Sequence, residues 1–237
     1  MPTLARRDHV FVLDLGGDEN TLDPESLAAI DRSLDEVERA PAPRALVTCG
    51  SGRCYSTGLD LAWIASHPDG VRDLVAGLHE LLARMLQLPV PTVAALNGHA
   101  VAGGALLALA HDHRIMRADR GFFCLPEVDG RIAFTPGTTD LVAARLGPPV
   151  AHEAMTSGRR YAAEEALERR VVDGVAAAAT LLEEAVAVAA SLAGKDPGTY
   201  QAIKVGLHRR VIRSLLDRTA NAVDAAHFSG VVTAGGH

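Results

Sequence analysis

The sequence has 237 residues, 48% of them hydrophobic and 22% charged, which suits one large domain or one domain with an appendage. Its formal net charge of −6 argues against a nucleic-acid-binding protein, because such proteins present a basic surface to the phosphates. The three cysteines, Cys49, Cys54 and Cys124, show no CxxC spacing, so we expect neither a disulfide framework nor a metal site.

The apolar runs and the first residues of the chain bear on its location. No long apolar stretch precedes a cleavage site near the start, so no secretory signal is expected. No run reaches the roughly 20 apolar residues that cross a bilayer. We therefore predict a cytoplasmic protein without a membrane partner.

Short apolar runs mark the strands. Residues 9–15, 45–49 and 92–96 are rich in valine, leucine and alanine and predict buried strands, and strand-like runs follow at 115–118 and 122–125.

Helical patterns lie between these strands. Asp23 and Pro24 predict the N-cap and the first position of a helix. Periodic apolar residues predict further helices at 71–85 and 105–111. Strands that alternate with helices indicate an α/β fold with parallel strand pairing.

Helical patterns dominate beyond residue 176. Residues 181–192 and 200–226 predict helices with apolar residues on more than one face, which pack either on their own core or on a neighbouring subunit. The sequence leaves both options open. We place a boundary between these two helical segments, which gives a core of residues 1–193 and a helical region of residues 194–237. The end of that region, residues 231–237, is expected to be frayed.

A glycine-rich segment, residues 97–104, joins a predicted strand to a predicted helix. It lacks the lysine of a Walker phosphate loop and the GxGxxG spacing of a dinucleotide-binding loop. Its glycines either allow a tight turn or leave backbone N–H groups at a helix start facing a ligand oxygen.

Residues 53–60 form a second segment of this kind, with Gly58 after a predicted strand. By itself the segment is an ordinary loop. Two such strand ends could instead offer one N–H each to a single oxyanion, which is the geometry that enolate and acyl-transfer chemistry requires.

Several motifs in register carry a family resemblance. YSTGLD at 55–60, NGHAVAGG at 97–104, LPE at 125–127 and AEEA at 163–166 together resemble the crotonase (enoyl-CoA hydratase/isomerase) superfamily, over roughly residues 9–215. The resemblance implies a crotonase-fold spiral of ββα units. It also implies that the C-terminal helical region forms a homotrimer or a dimer of trimers.

The resemblance further implies a site for an acyl-CoA thioester, with coenzyme A as part of the substrate and no separate cofactor. Its oxyanion hole is expected from the backbone N–H groups of Leu59 and Gly103. The substrate and its CoA part are expected to lie along the residues around these amides: Tyr55, Ser56, Thr57, Gly58, Asp60, Leu61, Gly104 and Leu106. For the CoA phosphates the sequence offers Arg53, Lys204 and Arg209 without deciding between them.

The acidic residues suggest which reaction the site performs. Hydratases of the family use two glutamates, but the first position is Leu106 here and only the second survives, as Glu127. A single carboxylate suits a Δ3,Δ2-enoyl-CoA isomerase of fatty-acid β-oxidation, because one base can remove a proton from C2 and return it to C4. An apolar wall would raise the pKa of this glutamate and exclude water. We predict that wall from Leu106, Leu125, Val128 and Phe134.

Two other hypotheses remain. The chain could be an enoyl-CoA hydratase or another crotonase-type hydrolase or lyase, or it could be a non-catalytic CoA-binding scaffold. Residues 108–122 resemble the plant peroxisomal isomerases of the family, whereas the sequence ends in Gly235, Gly236 and His237 without a peroxisomal tripeptide. A bacterial cytoplasm is therefore the expected location.

Overall fold

The computed structural model describes residues 1–232, in which strands and helices alternate. The strands are β1 (Thr3–Arg7), β2 (Val10–Asp14), β3 (Thr21–Leu22), β4 (Ala45–Cys49), β5 (Cys54–Ser56), β6 (Gly58–Leu59), β7 (Thr92–Leu96), β8 (His99–Val101), β9 (His113–Arg117), β10 (Phe123–Cys124), β11 (Arg160–Tyr161) and β12 (Gly174–Ala176). The helices are α1 (Pro24–Arg39), α2 (Leu61–Ser66), α3 (Val71–Met85), α4 (Gly103–Leu109), α5 (Pro136–Leu146), α6 (Pro148–Ser157), α7 (Ala163–Glu168), α8 (Leu181–Leu192), α9 (Pro197–Leu215) and α10 (Ser229–Val232). Short 3₁₀ turns lie at Pro68–Gly70, Pro126–Val128 and Ala225–Phe228.

The strands form two main sheets. The larger has the order β1-β2-β4-β7-β9-β12 and the smaller the order β11-β10-β8-β5, while β3 and β6 pair separately. Strands β2, β4, β7, β9 and β12 run parallel, and β1 joins the edge antiparallel to β2. The predicted α/β class with parallel pairing is confirmed.

The chain winds as a spiral of repeated units. One strand enters the larger sheet, the next strand enters the smaller sheet, and a helix follows: β4, β5 and then α3, with β7, β8 and α4 as the next turn. Because parallel strands align their carboxyl ends, the segments that leave β5, β8 and β10 emerge close together, and β6 directly follows β5. This winding gathers the candidate site from three distant parts of the sequence.

Local sequence signals explain where the first helix begins. The Asp23 carboxylate accepts a hydrogen bond from the Ser26 N–H at 2.7 Å, and the Ser26 hydroxyl accepts one from the Asp23 N–H at 2.8 Å. Pro24 occupies the first helical turn, where its missing N–H costs nothing. The helix start predicted at this point is confirmed.

Two apolar layers cover the larger sheet. The main core lies on the side of α1, α3, α4 and α5, and includes Leu34, Leu46, Leu82 and Leu96. On the other side, α8 packs its alanines against β4 and β7, with Ala185 and Ala189 fully buried. Burial on both faces accounts for the mostly apolar sequences of β4 and β7, in which every residue is buried.

Helix α9 packs on α3 and α5 of the same chain. The Lys204 ammonium is buried and lies 3.1 Å from the Asp112 carboxylate, which also accepts a 3.0 Å hydrogen bond from the Tyr200 hydroxyl. On the outer side of α9, Ile203 and Leu207 are 63% and 74% exposed. The end of the predicted helical region, residues 233–237, lies outside the described residues, as does most of the part expected to be frayed.

None of the helices within residues 1–232 combines the length and apolarity needed to cross a membrane.

Candidate active site

Three turns of the spiral bring three backbone segments to one cavity. Strand β6 ends at Leu59, strand β8 leads through Ala102 into Gly103 at the start of α4, and strand β10 leads into the 3₁₀ turn that carries Glu127. These segments are separated by more than 40 and more than 20 residues of sequence, so only the fold brings them together.

Side-chain amides fix the loop before β5. Asn97 Nδ2 donates to the Gly52 and Cys54 carbonyls at 3.0 and 3.2 Å, and its Oδ1 accepts from the Gly50 N–H at 2.8 Å. Asn20 Nδ2 also donates to the Cys54 carbonyl, at 3.1 Å. Because both amides bind backbone groups, the segment that leads to Leu59 has a fixed path.

The Leu59 amide lies beside Gly103. A β-carbon added at Gly103 would lie 3.4 Å from the Leu59 nitrogen, and one added at Gly58 would lie 2.6 Å from the Gly103 nitrogen. The Asp60 N–H donates to the Leu22 carbonyl of β3 at 3.1 Å. Because successive amides of an extended strand point in opposite directions, the Leu59 N–H is directed away from β3.

The turn at Ala102 presents the Gly103 amide. Ala102 has a φ of 49°, a left-handed conformation that costs a non-glycine residue roughly 1–3 kcal/mol and is typical of functional sites. Its N–H donates to the Cys124 carbonyl at 3.0 Å, and its carbonyl accepts from the Leu106 N–H at 2.9 Å. Gly103 is the first residue of α4, where an amide has no acceptor within its own helix.

These segments border a cavity of about 220 Å³, which we name the apolar cavity. Helix α3, the 3₁₀ turn after β10, the start of α5 and the segment before α10 complete its wall. The wall is mainly hydrophobic, and its side chains include Val75, Leu78, Leu106, Ile132, Phe134, Val223 and Phe228.

Glu127 brings a carboxyl group into this wall. Its side chain is only 9% exposed, and Oε2 is buried without a hydrogen-bond partner in the described part of the chain. Removal from water raises the pKa of Glu127 to about 7, because the charged form is disfavoured in an apolar setting. A buried carboxyl group with a free oxygen and a pKa near neutrality can accept and return a proton.

The structure divides the predicted wall residues. Leu106 and Phe134 line the apolar cavity as predicted. Leu125 instead points into the main core with no exposed surface, and Val128 is 44% exposed on the outside. The 3₁₀ turn at Pro126–Val128 explains this difference, because it rotates Val128 away from the cavity that Glu127 faces.

Apart from Asp60, the predicted site residues fall into two groups. Those that line the apolar cavity are Thr57, Leu59, Leu61, Gly103, Leu106 and Glu127. The second group, Tyr55, Ser56, Gly58 and Gly104, is buried and packs beneath the residues that line the cavity.

The side chains of Tyr55 and Ser56 have internal partners, and Gly104 packs closely against Ser56. The Tyr55 hydroxyl lies 2.7 Å from the Thr48 hydroxyl, and Ser56 Oγ donates to the Asn20 carbonyl at 2.8 Å. A β-carbon on Gly104 would lie 2.2 Å from the Ser56 carbonyl oxygen. These contacts give Tyr55, Ser56 and Gly104 a packing role behind the cavity. Their expected contact with CoA stays a prediction.

A second cavity, of about 500 Å³, adjoins the first along β6. We name it the acidic cavity, because Asp18, Glu19 and Asp60 are among its lining residues. Thr57 and Leu59 line both cavities. The Asp60 carboxylate also caps α2, where it accepts a 2.8 Å hydrogen bond from the Trp63 N–H.

The basic residues considered for the CoA phosphates have different surroundings. Lys204 is 5% exposed and paired with Asp112, so it cannot also reach a phosphate. Arg53 and Arg209 are exposed. In the described chain, no group of three or more His, Cys, Asp or Glu residues is arranged to hold a metal ion.

Sequence reasoning missed several polar groups at the site, including His79. His79 lines the apolar cavity, and its Nε2 lies 3.1 Å from the Thr135 hydroxyl, which lies 3.0 Å from the Thr138 hydroxyl. His79 stands among the apolar positions of α3, and that interruption of the pattern was the available signal. His227 and Phe228 also line the cavity from the far end of the chain, and nothing in the sequence indicated this.

Comparisons with known proteins agree with this geometry. Residues 9–235 match the family model described as enoyl-CoA hydratase/isomerase. Enoyl-CoA delta isomerase 3 of Arabidopsis thaliana is 36% identical over 232 residues, which cover 93% of this chain and 97% of that protein. A putative enoyl-CoA hydratase of Thermus thermophilus is 34% identical over 211 residues, which cover 84% of this chain and 81% of that protein.

The fold comparison gives the same result. The crystal structure of an enoyl-CoA hydratase/isomerase family protein from Pseudomonas syringae superposes with a TM-score of 0.86 at 27% identity, covering 93% of this chain and 97% of that one. The predicted crotonase fold with a C-terminal helical region is thereby confirmed. The chain belongs to the enoyl-CoA hydratase/isomerase family of the crotonase superfamily, and within it resembles the enoyl-CoA isomerases.

Proposed function

We propose that this protein is a Δ3,Δ2-enoyl-CoA isomerase that acts in fatty-acid β-oxidation and uses Glu127 as its single acid and base. The observation that carries the proposal is the buried Glu127 carboxyl group, which has an oxygen without a hydrogen-bond partner among residues 1–232 and lies in a cavity that Leu59 and Gly103 also line. The name of the Arabidopsis thaliana relative supports the same activity.

The reaction needs one base and one anion-binding site. The Glu127 carboxylate takes a proton from C2, and the electron pair of the broken C–H bond spreads into a dienolate whose negative charge rests largely on the thioester oxygen. The Leu59 and Gly103 N–H groups donate to that oxygen, and such donors act most strongly on charge that develops in a dry site. Protonated Glu127 then returns the proton at C4, which leaves the double bond between C2 and C3.

The proposed step moves a proton and needs no oxidant, reductant or separate cofactor. Leu106 supports isomerisation over hydration, because a leucine at this wall can neither position nor deprotonate a water molecule. The hydrophobic side chains around Glu127 also limit the access of water to the dienolate.

We assign the CoA part of the substrate to the acidic cavity. The supporting observation is that Thr57 and Leu59 line both cavities, so a thioester held at the Leu59 amide has the acyl chain on one side and CoA on the other. The carboxylates of Asp18, Glu19 and Asp60 would repel phosphates. We therefore place uncharged parts of CoA in this cavity and its phosphates beyond it.

Incubation with trans-3- and cis-3-enoyl-CoA tests the proposed function. We expect both to give the conjugated 2-enoyl thioester, which is followed by its ultraviolet absorbance, with little hydration of added 2-enoyl-CoA. Glu127→Gln should lower kcat by roughly 10²–10⁴-fold and keep acyl-CoA affinity, because it preserves shape but cannot carry the proton. The exposed neighbour Asp129 provides the matched control, Asp129→Asn, which should keep full activity.

The outcome separates the alternatives. Equal rates of hydration and isomerisation would replace this function with that of a hydratase. Acyl-CoA binding without exchange of the C2 proton in heavy water would indicate a scaffold instead of an enzyme.

We further propose that the chain assembles as a homotrimer or a dimer of trimers through its C-terminal helices, in the cytoplasm. The exposed Ile203 and Leu207 side chains of α9 support an interface at this surface, because large apolar groups one turn apart are usually covered. Sedimentation of Ile203→Asp/Leu207→Asp should give monomers where the natural sequence gives trimers. If the variant with both aspartates still forms trimers, the interface between subunits lies on another surface.

A further inference from the structure

His79 stands between two cavities. It projects from α3 with only 3% of its surface exposed, and it lines both the apolar cavity and a separate cavity of about 500 Å³. We name the latter the polar cavity, because Arg72, Glu80, Arg218 and Asn221 are among its lining residues. The imidazole is thus a shared wall.

Internal bonding fixes the ring. Nε2 lies 3.1 Å from the Thr135 hydroxyl, and Thr135 in turn caps α5 through its side chain. Burial lowers the pKa of His79 to about 4, so the ring is neutral near pH 7. A neutral ring with its nitrogen paired inside the protein can border an apolar chain without a large desolvation penalty.

The space beyond the ring has a different character. The Arg218 guanidinium lies 2.6 Å from the Glu80 carboxylate, and both side chains are about half exposed, so the polar cavity lies at the protein surface. Ala76, one turn before His79 on α3, lines the polar cavity and not the apolar one. Removal of the imidazole would therefore join the two cavities past Ala76.

We propose that His79 is a specificity-determining residue that ends the acyl path and restricts the enzyme to short and medium acyl chains. The inference rests on the proposed function, since it assumes that the apolar cavity holds the acyl chain. Chains that fill the cavity gain apolar burial with each carbon, whereas a longer chain meets the fixed ring.

Binding of unreactive substrates tests the inference. Saturated acyl-CoA thioesters from butanoyl to hexadecanoyl, in steps of two carbons, are titrated by calorimetry. For the natural sequence the affinity should rise roughly fourfold per methylene, the equivalent of about 0.8 kcal/mol for each buried CH₂, and should level off when the chain reaches His79. For His79→Ala the rise should continue to longer chains, and kcat/KM for the 3-enoyl-CoA series should shift in the same direction.

Two further variants sharpen the test. Val75→Ala enlarges the apolar cavity at a position that does not line the polar cavity, so it should leave the limit on acyl-chain length unchanged. Ala76→Leu added to His79→Ala refills the opening and should restore the shorter limit. His79→Val places an apolar side chain larger than that of alanine in the wall, so it should extend the limit on acyl-chain length by less than His79→Ala. It replaces the alanine variant in the test if that variant does not fold.

The results distinguish this inference from the proposed function. If folded His79→Ala and His79→Val level off at the same chain length as the natural sequence, the inference is overturned, whether or not isomerisation occurs. If the limit shifts but no variant isomerises 3-enoyl-CoA, the inference stands as an acyl-length limit and the proposed reaction fails. If no acyl-CoA binds at all, both fail.

Discussion

Gly58 and Gly103 meet through their backbones at the candidate active site. A β-carbon on Gly58 would lie 2.6 Å from the Gly103 nitrogen and 3.2 Å from the Val101 carbonyl oxygen, and Gly58 has a φ of 87°. Both contacts involve backbone, which cannot rotate away. The approach of the Leu59 and Gly103 amides therefore depends on the absence of a side chain at residue 58.

Gly58→Ala should separate the two amides. We expect kcat to fall by roughly 10²–10³-fold, the loss typical when one donor to an oxyanion is displaced. Measurement of kcat for 3-enoyl-CoA, with the melting temperature beside it, checks this prediction.

Gly147→Ala provides the matched control. Gly147 also has a positive φ, of 72°, but a β-carbon there meets nothing within 4 Å. Gly147→Ala should therefore lower the melting temperature, because its backbone is strained, and should keep the kcat of the natural sequence. A Gly58→Ala enzyme as active as Gly147→Ala would mean that the two amides do not act together.

Part of this site could be predicted from the sequence. The glycine-marked strand ends suggested that two backbone N–H groups could meet at one oxyanion, and the resemblance to the crotonase superfamily assigned that role to Leu59 and Gly103 and the proton transfer to Glu127. The helix bounds at α1 and α3 also followed from capping and periodicity.

The remainder depends on tertiary packing. Strand β1 and helices α5 and α6 were not predicted, since β1 is mostly exposed and α5 has no clean apolar face. The roles of Leu125 and Val128 required the 3₁₀ turn between them, and nothing local distinguishes that turn from an extended segment. Contacts such as that of Phe228 with the cavity join residues too far apart in sequence for any local pattern to indicate.

The pH dependence of activity should reflect Glu127. Proton removal from C2 needs the carboxylate form, and burial raises the pKa of Glu127 to about 7. We therefore expect kcat/KM to fall on the acid side of neutrality with a midpoint near that value, and to be level above it. A profile that stays flat down to about pH 5 would indicate that a different group removes the proton.

The difference in stability between Glu127→Gln and the natural sequence should also depend on pH. The folded-state pKa lies above the ordinary value of 4.5, so the protonated carboxyl favours folding below that value and this contribution is lost as the pH rises through about 7. Glutamine stays neutral throughout. Urea unfolding should find the variant more stable than the natural sequence by up to about 3 kcal/mol near pH 8, and about equal near pH 4. Glu168→Gln, at an exposed position, should show no such difference.

Lys204 provides a test of structural against ligand-binding roles in the C-terminal helices. Its ammonium donates to the Met85 carbonyl and to the Asp112 carboxylate, both at 3.1 Å, and joins α9 to the core. Lys204→Met would leave Asp112 buried without its cation, which typically costs about 3–5 kcal/mol. Urea unfolding should show this loss, while KM for enoyl-CoA stays unchanged where the variant is folded.

The exposed Arg209 is the comparison residue on the same helix. Arg209→Met should change the free energy of unfolding by no more than about 0.5 kcal/mol, as is usual for surface positions. The opposite pattern, a raised KM and unchanged stability for Lys204→Met, would mean that the ammonium leaves Asp112 to bind a CoA phosphate. Asp112 also accepts hydrogen bonds from Thr92 and Tyr200, but both of these donors are neutral. Departure of Lys204 would leave the buried Asp112 carboxylate without a cation, so we expect the ion pair to persist.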